Sequence, residues 1–145
     1  MELKKIILRA DGNSNIGLGH LYRIFALAEI YSNNYECIFV TKCSSELSIF
    51  PKGYKLILIP NQVSTKDEPK WLNNFFNSNK FLIILDGYHF NYNYQINLKK
   101  IGFNILLIDD FVEKNIAADV VVNHALSIKI KDFGLLKKNE IWFRP

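Results

Sequence analysis

"KKIILRADGNSNIGLGHLYRIFALA", residues 4–28, sets an apolar, β-branched run against a helical one with a glycine-rich corner between them. The run Lys4 to Leu8 is short and nearly continuous, as expected of a strand covered on both faces. From Leu21 to Ser32 the apolar residues Leu21, Ile24, Phe25 and Ala28 recur at helical spacing. The connecting "DGNSNIGLGH", residues 11–20, holds three glycines and two asparagines, the residues of tight turns. A strand, a tight corner and a helix predict the first half of a βαβ unit.

The same alternation continues outward. Apolar runs at Tyr35 to Thr41, Tyr54 to Ile59, Phe81 to Leu85, Asn104 to Ile108 and Asp119 to Val122 predict further parallel strands. Helical spacing is expected between them at Ser45 to Phe50, Lys66 to Asn77 and Tyr92 to Ile101. Strand and helix in turn predict a three-layer α/β domain, a Rossmann-like parallel sheet with right-handed crossovers.

At 145 residues and 49% hydrophobic content the chain is one domain's worth of globular protein. Its apolar runs are far too short to span a bilayer, and the amino terminus lacks the pattern of a secretion signal, so a cytoplasmic location without membrane insertion is expected. Cys37 and Cys43 form no CxxC pair, which argues against a metal site or a disulfide framework. The net charge of +4 comes from scattered lysines with no basic, aromatic-interleaved stripe. Nucleic-acid binding is not expected, whereas a mild positive field suits an anionic small molecule.

Ligands of parallel sheets bind outside the carboxyl ends of the strands. Strand one delivers Arg9 and Asp11 there, the fourth Asp86, Tyr88 and His89, the fifth Asp109 and Asp110, and the sixth Asn123 and His124. Together with His20 these residues are expected along one edge.

The corner itself is neither of two well-known phosphate loops. Gly12 and Gly17 have P-loop spacing, but Leu18 and Gly19 stand where lysine and a hydroxyl are required. Gly17 and Gly19 lack the third glycine of a dinucleotide fingerprint, where Tyr22 stands, and Thr41 and Lys42 replace the acidic residue after the second strand. What the glycines do supply is a tight turn, positive φ and close approach of a ligand to the backbone at the start of a helix. Valine at Gly17 or Gly19 is expected to damage that approach. His20 falls in the first turn of the helix, whose positive end disfavours imidazolium and favours a neutral ring able to accept a proton.

"LRADGNSNIGLGHLYRIFALA", "LIILDGY", "LLIDDF", "AADVVVNHA" and "IWFRP", in that order, resemble the amino-terminal half of the UDP-sugar hydrolases of pseudaminic-acid biosynthesis. These enzymes are relatives of the spore-coat polysaccharide and MurG-like glycosyltransferases of GT-B fold. The most specific element is G-x-G-H followed by a hydrophobic residue, any residue and arginine. The resemblance implies the amino-terminal half of a GT-B fold and inverting, cofactor-free and metal-independent release of UDP from a diacetamido-trideoxy sugar nucleotide. Water attacks C1, His20 is the general base, and Tyr88 lies beside the sugar or the water. Arg9, Asp11, Gly17, Leu18, Gly19, Asp86, Asp110 and Asn123 are the substrate-binding residues that follow from it together with the sheet-edge reading.

In that family a carboxyl-terminal domain holds the nucleotide, and this chain stops at Pro145, where the family's linker begins. A nucleotide-binding domain in the same or another chain is therefore an expected partner. Two other readings remain open. One is a GT-B glycosyltransferase, with an acceptor hydroxyl in place of water. The other is a non-catalytic carbohydrate-recognition or assembly module.

Overall fold

The computed structural model of the protein describes residues 4–111, 115–123 and 140–143. Its strands are β1 (Lys4–Ala10), β2 (Tyr35–Lys42), β3 (Lys55–Ile59), β4 (Phe81–Asp86), β5 (Asn104–Ile108), β6 (Val120–Asn123) and β7 (Glu140–Phe143). Its helices are α1 (Gly19–Tyr31), α2 (Glu68–Asn73) and α3 (Tyr92–Ile101). The strands form one sheet in the order β3-β2-β1-β4-β5-β6-β7, and every neighbouring pair is parallel. This is the Rossmann-like α/β fold expected from the alternation of strand and helix. Among the described residues no helix is long and apolar enough to cross a membrane.

The strand order fixes where a site can be. From β1 the chain steps outward to β2 and β3, then returns to place β4 on the other side of β1. Crossovers therefore diverge at β1 and β4, and divergence opens a crevice at their carboxyl ends. In register, Ala10 of β1 lies opposite Asp86 of β4.

Alternation along each strand divides the core between two faces. Ile7, Val40, Ile83, Leu85 and Ile105 pack with Leu72 of α2 and with Tyr94 and Leu98 of α3. Ile6, Leu8, Ala10, Phe39 and Ile84 pack with Leu21, Ile24 and Ala28 of α1. Arg9 and Asp11 share the parity of Ile7, and Asp86 shares that of Ile84. One residue of offset thus sends these polar groups to opposite faces of the sheet.

Several elements differ from expectation. Ser45 to Phe50 contains only a single 3-10 turn, Leu47–Ile49, because Glu46 turns its carboxylate onto Ser48 in place of a longer helical ladder. The helix expected over Lys66 to Asn77 is cut to Glu68–Asn73, with Pro69 in its first turn, and a 3-10 turn at Ser78–Lys80 leads into β4. α1 begins at Gly19, two residues before the apolar spacing starts, and His20 lies in its first turn as expected. β7 was not expected as a strand. Its four residues pair in parallel with β6, from Val120 opposite Glu140 to Asn123 opposite Phe143.

Candidate functional site

His20 is the second residue of α1, and its side chain is 10% exposed. Its Nδ1 lies 2.7 Å from Oδ1 of Asp86, the last residue of β4. Both Asp86 oxygens also accept from Arg23, at 2.6 Å from Nε and 2.6 Å from Nη2. A carboxylate that accepts on both oxygens presents an acceptor to the ring, so Nδ1 carries the hydrogen and donates it. The approach of Arg23 Nη2 to Nδ1, at 3.2 Å, is then one of donor beside donor. Among the described residues no hydrogen bond engages Nε2. When the ring is neutral its lone pair lies there, as a base requires.

Arg23 stands one helical turn after His20 and bridges a second carboxylate. Nη1 and Nη2 donate to the two oxygens of Asp110 at 2.8 and 2.9 Å. Its guanidinium is held above the usual arginine range, first by the hydrogen bonds to Asp86, against the opposing effect of burial, and then by Asp110. One guanidinium thus faces two carboxylates beside the ring. Sequence reasoning considered only the positive end of α1. The ring also meets the carboxylate of Asp86.

Tyr88 covers His20. Their rings meet edge to face at 4.7 Å, and Phe111 lies 5.1 Å beyond Tyr88. Tyr88 and Phe111 are 60% and 61% exposed, high for large rings, so they form a ledge open to solvent. A cleft of about 290 Å³ opens beside it, walled by Ile16, Gly19, His20, Arg23, Tyr88 and Asp110. A narrower hollow of about 40 Å³ continues beneath the ledge toward Leu107 and Asp109. A larger open depression of about 400 Å³ lies at the amino ends of the strands, beside Lys4, Lys5 and Lys80. It is remote from every expected site residue, and Lys5 there is paired with Glu36.

The glycines divide unevenly. Gly17 has φ +86°, the left-handed region that favours glycine, and its N–H closes the corner on the Asn13 carbonyl at 2.8 Å. Gly19 has no such φ and no atom within 4 Å of where a Cβ would stand, so its expected need for positive φ is corrected. The tightest glycine is Gly12, which the sequence reading passed over as a site residue. A Cβ there would stand 2.7 Å from Leu21 Cγ and 2.9 Å from the Gly17 carbonyl oxygen. Leu18 takes the N-cap position of α1, with no side-chain capping bond and no acid in the first turn. The first amides of α1 are thus left to the corner, a favourable setting for anionic oxygens.

Arg9 does not face the cleft. It is fully buried on the α2/α3 face and donates to Glu68 at 2.5 and 3.1 Å and to Asp11 at 2.6 and 2.8 Å. Burial works to lower its pKa, but Glu68 and Asp11 outweigh it and raise the group well above its usual range. The expectation that Arg9 binds substrate is therefore corrected: its donors are spent on two carboxylates. Asp11 is bound into the same network, accepting from the Lys42 backbone N–H at 2.8 Å and from Thr41 Oγ1 at 3.1 Å. Burial would raise its pKa, yet His89, Arg9 and Lys42 hold it far below the usual carboxylate range. Tyr94 Oη completes the set with a 2.7 Å bond to Glu68. Its hydroxyl is pushed up by burial and by Glu68.

Asp109 directly follows β5 and Asn123 ends β6 on the same edge, and both are buried. Asp109 Oδ1 accepts from the Phe111 backbone N–H at 3.1 Å, which fixes the base of the ledge. Asn123 lies two strands beyond β4, outside the cleft. His124 lies outside the described residues. The structure thus gathers His20, Tyr88, Gly19, Asp86 and Asp110, adds Arg23, Ile16 and Phe111, and sets Arg9 and Asp11 apart. Among the described residues no group of three or more histidines, cysteines and acids is arranged to hold a metal ion.

No family model matches the chain. Over 133 residues, 88% of its length, it is 28% identical to the uncharacterized protein MJ1062 of Methanocaldococcus jannaschii, of which the match covers 26%. The crystal structure of Acinetobacter baumannii MurG superposes with a TM-score of 0.61 over 95% of this chain and 44% of MurG, at 12% identity. The chain therefore spans about a quarter of the curated relative and under half of the solved one. At that identity the likeness is one of architecture: this is the Rossmann-like α/β sheet of the GT-B kind that MurG also has.

Proposed function

We propose that this chain is the base-bearing domain of an enzyme that transfers the glycosyl group of a sugar nucleotide to a hydroxyl acceptor. The observation that carries the reading is His20, held through Nδ1 by Asp86 at 2.7 Å, beside the cleft where the crossovers diverge. The GT-B likeness to MurG supports a sugar nucleotide as the ligand. In the reaction the acceptor oxygen attacks the anomeric carbon as its proton passes to His20 Nε2. The bond from that carbon to the diphosphate oxygen breaks, and the diphosphate leaves with the electron pair. A diphosphate is a good leaving group, so one positioned base suffices.

Asp86 and Asp110 make this wall acidic, which disfavours the diphosphate against the side chains of the cleft. The uncapped amides of α1 are the places on this domain suited to its oxygens. The remainder of the nucleotide is then held by a further nucleotide-binding domain, in the same or another chain.

A second reading keeps water as the acceptor, making the protein the UDP-sugar hydrolase that the sequence motifs resemble. It is favoured by the Gly17–Arg23 stretch, whose histidine and arginine share Asp86. UDP release from UDP-sugars, measured with and without a hydroxyl acceptor, separates the two. The measurement is made on the protein alone and with a nucleotide-binding domain joined to its carboxyl end. Release only with an acceptor supports transfer, and release without one supports hydrolysis. Binding without turnover in every arrangement would overturn both and leave a carbohydrate-recognition module.

A further inference from the structure

The turn "DGYHF", residues 86–90, touches both faces of the sheet. Asp86 holds His20 and Arg23 on the α1 face. Gly87 is packed so closely that a Cβ would stand 3.0 Å from Phe90 and 3.1 Å from His89. Tyr88 lies over His20. His89 reaches the opposite network, with Nε2 3.2 Å from Asp11 Oδ2, an ion-pair distance though off the line of a good hydrogen bond. Phe90 lies beneath the Arg9 guanidinium, 5.1 Å from it, and 4.9 Å from Tyr94.

We propose that His89 is a positioning residue: its grip on Asp11 fixes the β4–α3 turn and thereby holds Tyr88 against His20. Tyr88 needs such help, because it is largely exposed and its neighbours are rings. Contacts between rings are individually weak. Asp11 is a firm anchor, since Arg9, Thr41 and the Lys42 backbone fix its carboxylate from the other sides. Nε2 of His89 is shut off from solvent, with Asp11 Oδ2 3.2 Å away. Phe90, tilted against the His89 ring at 4.0 Å, closes the turn. The consequence for catalysis rests on the proposed role of His20, whereas the positioning itself can be read without any substrate.

The test is the nuclear magnetic resonance of the His20 ring protons, which sense the ring current of Tyr88. Tyr88→Leu defines the signal positions when the ring is absent. His89→Ala is expected to move the His20 signals toward those positions with the backbone spectrum still folded. His89→Gln, whose amide can donate to Asp11, is expected to return them to the parent values. Should His89→Ala not fold, His89→Leu keeps the apolar contact with Phe90 and makes the same comparison. His20 signals unmoved in a folded His89→Ala or His89→Leu, or no return in His89→Gln, would overturn the proposal. A protein that turns over no sugar nucleotide would defeat the functional reading and leave this result intact.

Discussion

Two arginines, each between two carboxylates, stand on opposite faces of the same sheet edge. Arg9 with Asp11 and Glu68 is closed, and the side chains of Arg9 and Glu68 are wholly buried. Arg23 with Asp86 and Asp110 is open, with 28% of the arginine and 19% of Asp110 exposed beside the cleft. The first network also takes in Thr41, Lys42 and Tyr94, and it ties α2 and α3 to the ends of β1 and β2. The second includes a histidine nitrogen that no hydrogen bond engages among the described residues. Identical chemistry thus serves cohesion on one face and, in our reading, proton transfer on the other, and the difference lies in what is left unspent.

The comparison is most strongly tested by deleting one acid from each network. Glu68→Ala takes two hydrogen bonds from a fully buried guanidinium, which keeps Asp11, and is expected to cost about 3–5 kcal/mol, read by urea denaturation. Asp110→Ala removes a partner from a partly exposed arginine that keeps Asp86, and is expected to cost about 1 kcal/mol or less. Similar losses at both positions would erase the distinction.

A smaller effect separates the glycines of the corner. Gly12→Ala forces a Cβ into Leu21 and the Gly17 carbonyl and is expected to cost about 1–3 kcal/mol. Gly19→Ala enters open space at the start of α1 and should leave the melting temperature unchanged or slightly raised. A large loss at Gly19 would mean that the corner is strained where no contact indicates it.

The gentlest probe is acid. Asp11 titrates lower in the folded protein than in the unfolded chain, so the unfolded state takes up its proton first. Its contribution to stability is therefore complete above about pH 4 and declines as the pH falls below that. Asp11→Asn should flatten this part of the acid limb in a series of denaturation curves. An unchanged limb would show that the carboxylate is not held as the closed network implies.

The fold was legible because parallel strands covered on both faces read as continuous apolar runs, and six of the seven strands among the described residues were found that way. β7 escaped because four residues, Glu140–Phe143, give too short a run to be told from a loop or helix segment. His20, Asp86 and Tyr88 were legible as polar residues directly after strands or at the start of a helix. Arg9 was misread for a reason the sequence itself contains. It is the penultimate residue of β1, so its side chain follows the alternation of Ile7 into the α2/α3 layer. Arg23 was visible as part of the corner motif but was not chosen as a site residue. Its i+3 spacing from His20 puts the two on one helix face, and that was the available signal. Glu68 and Tyr94 offered no such signal, because only the tertiary fold brings α2 and α3 to Arg9.

The claim that the open cluster exists to present a base is tested most directly by sugar-nucleotide turnover in His20→Asn beside the parent, under the conditions where the parent is active. We expect the rate to fall by about 10²- to 10⁴-fold, the range for a positioned general base, with substrate binding little changed. The melting temperature should stay near that of the parent, since the closed network is untouched. Turnover undiminished in a folded His20→Asn protein would contradict the account.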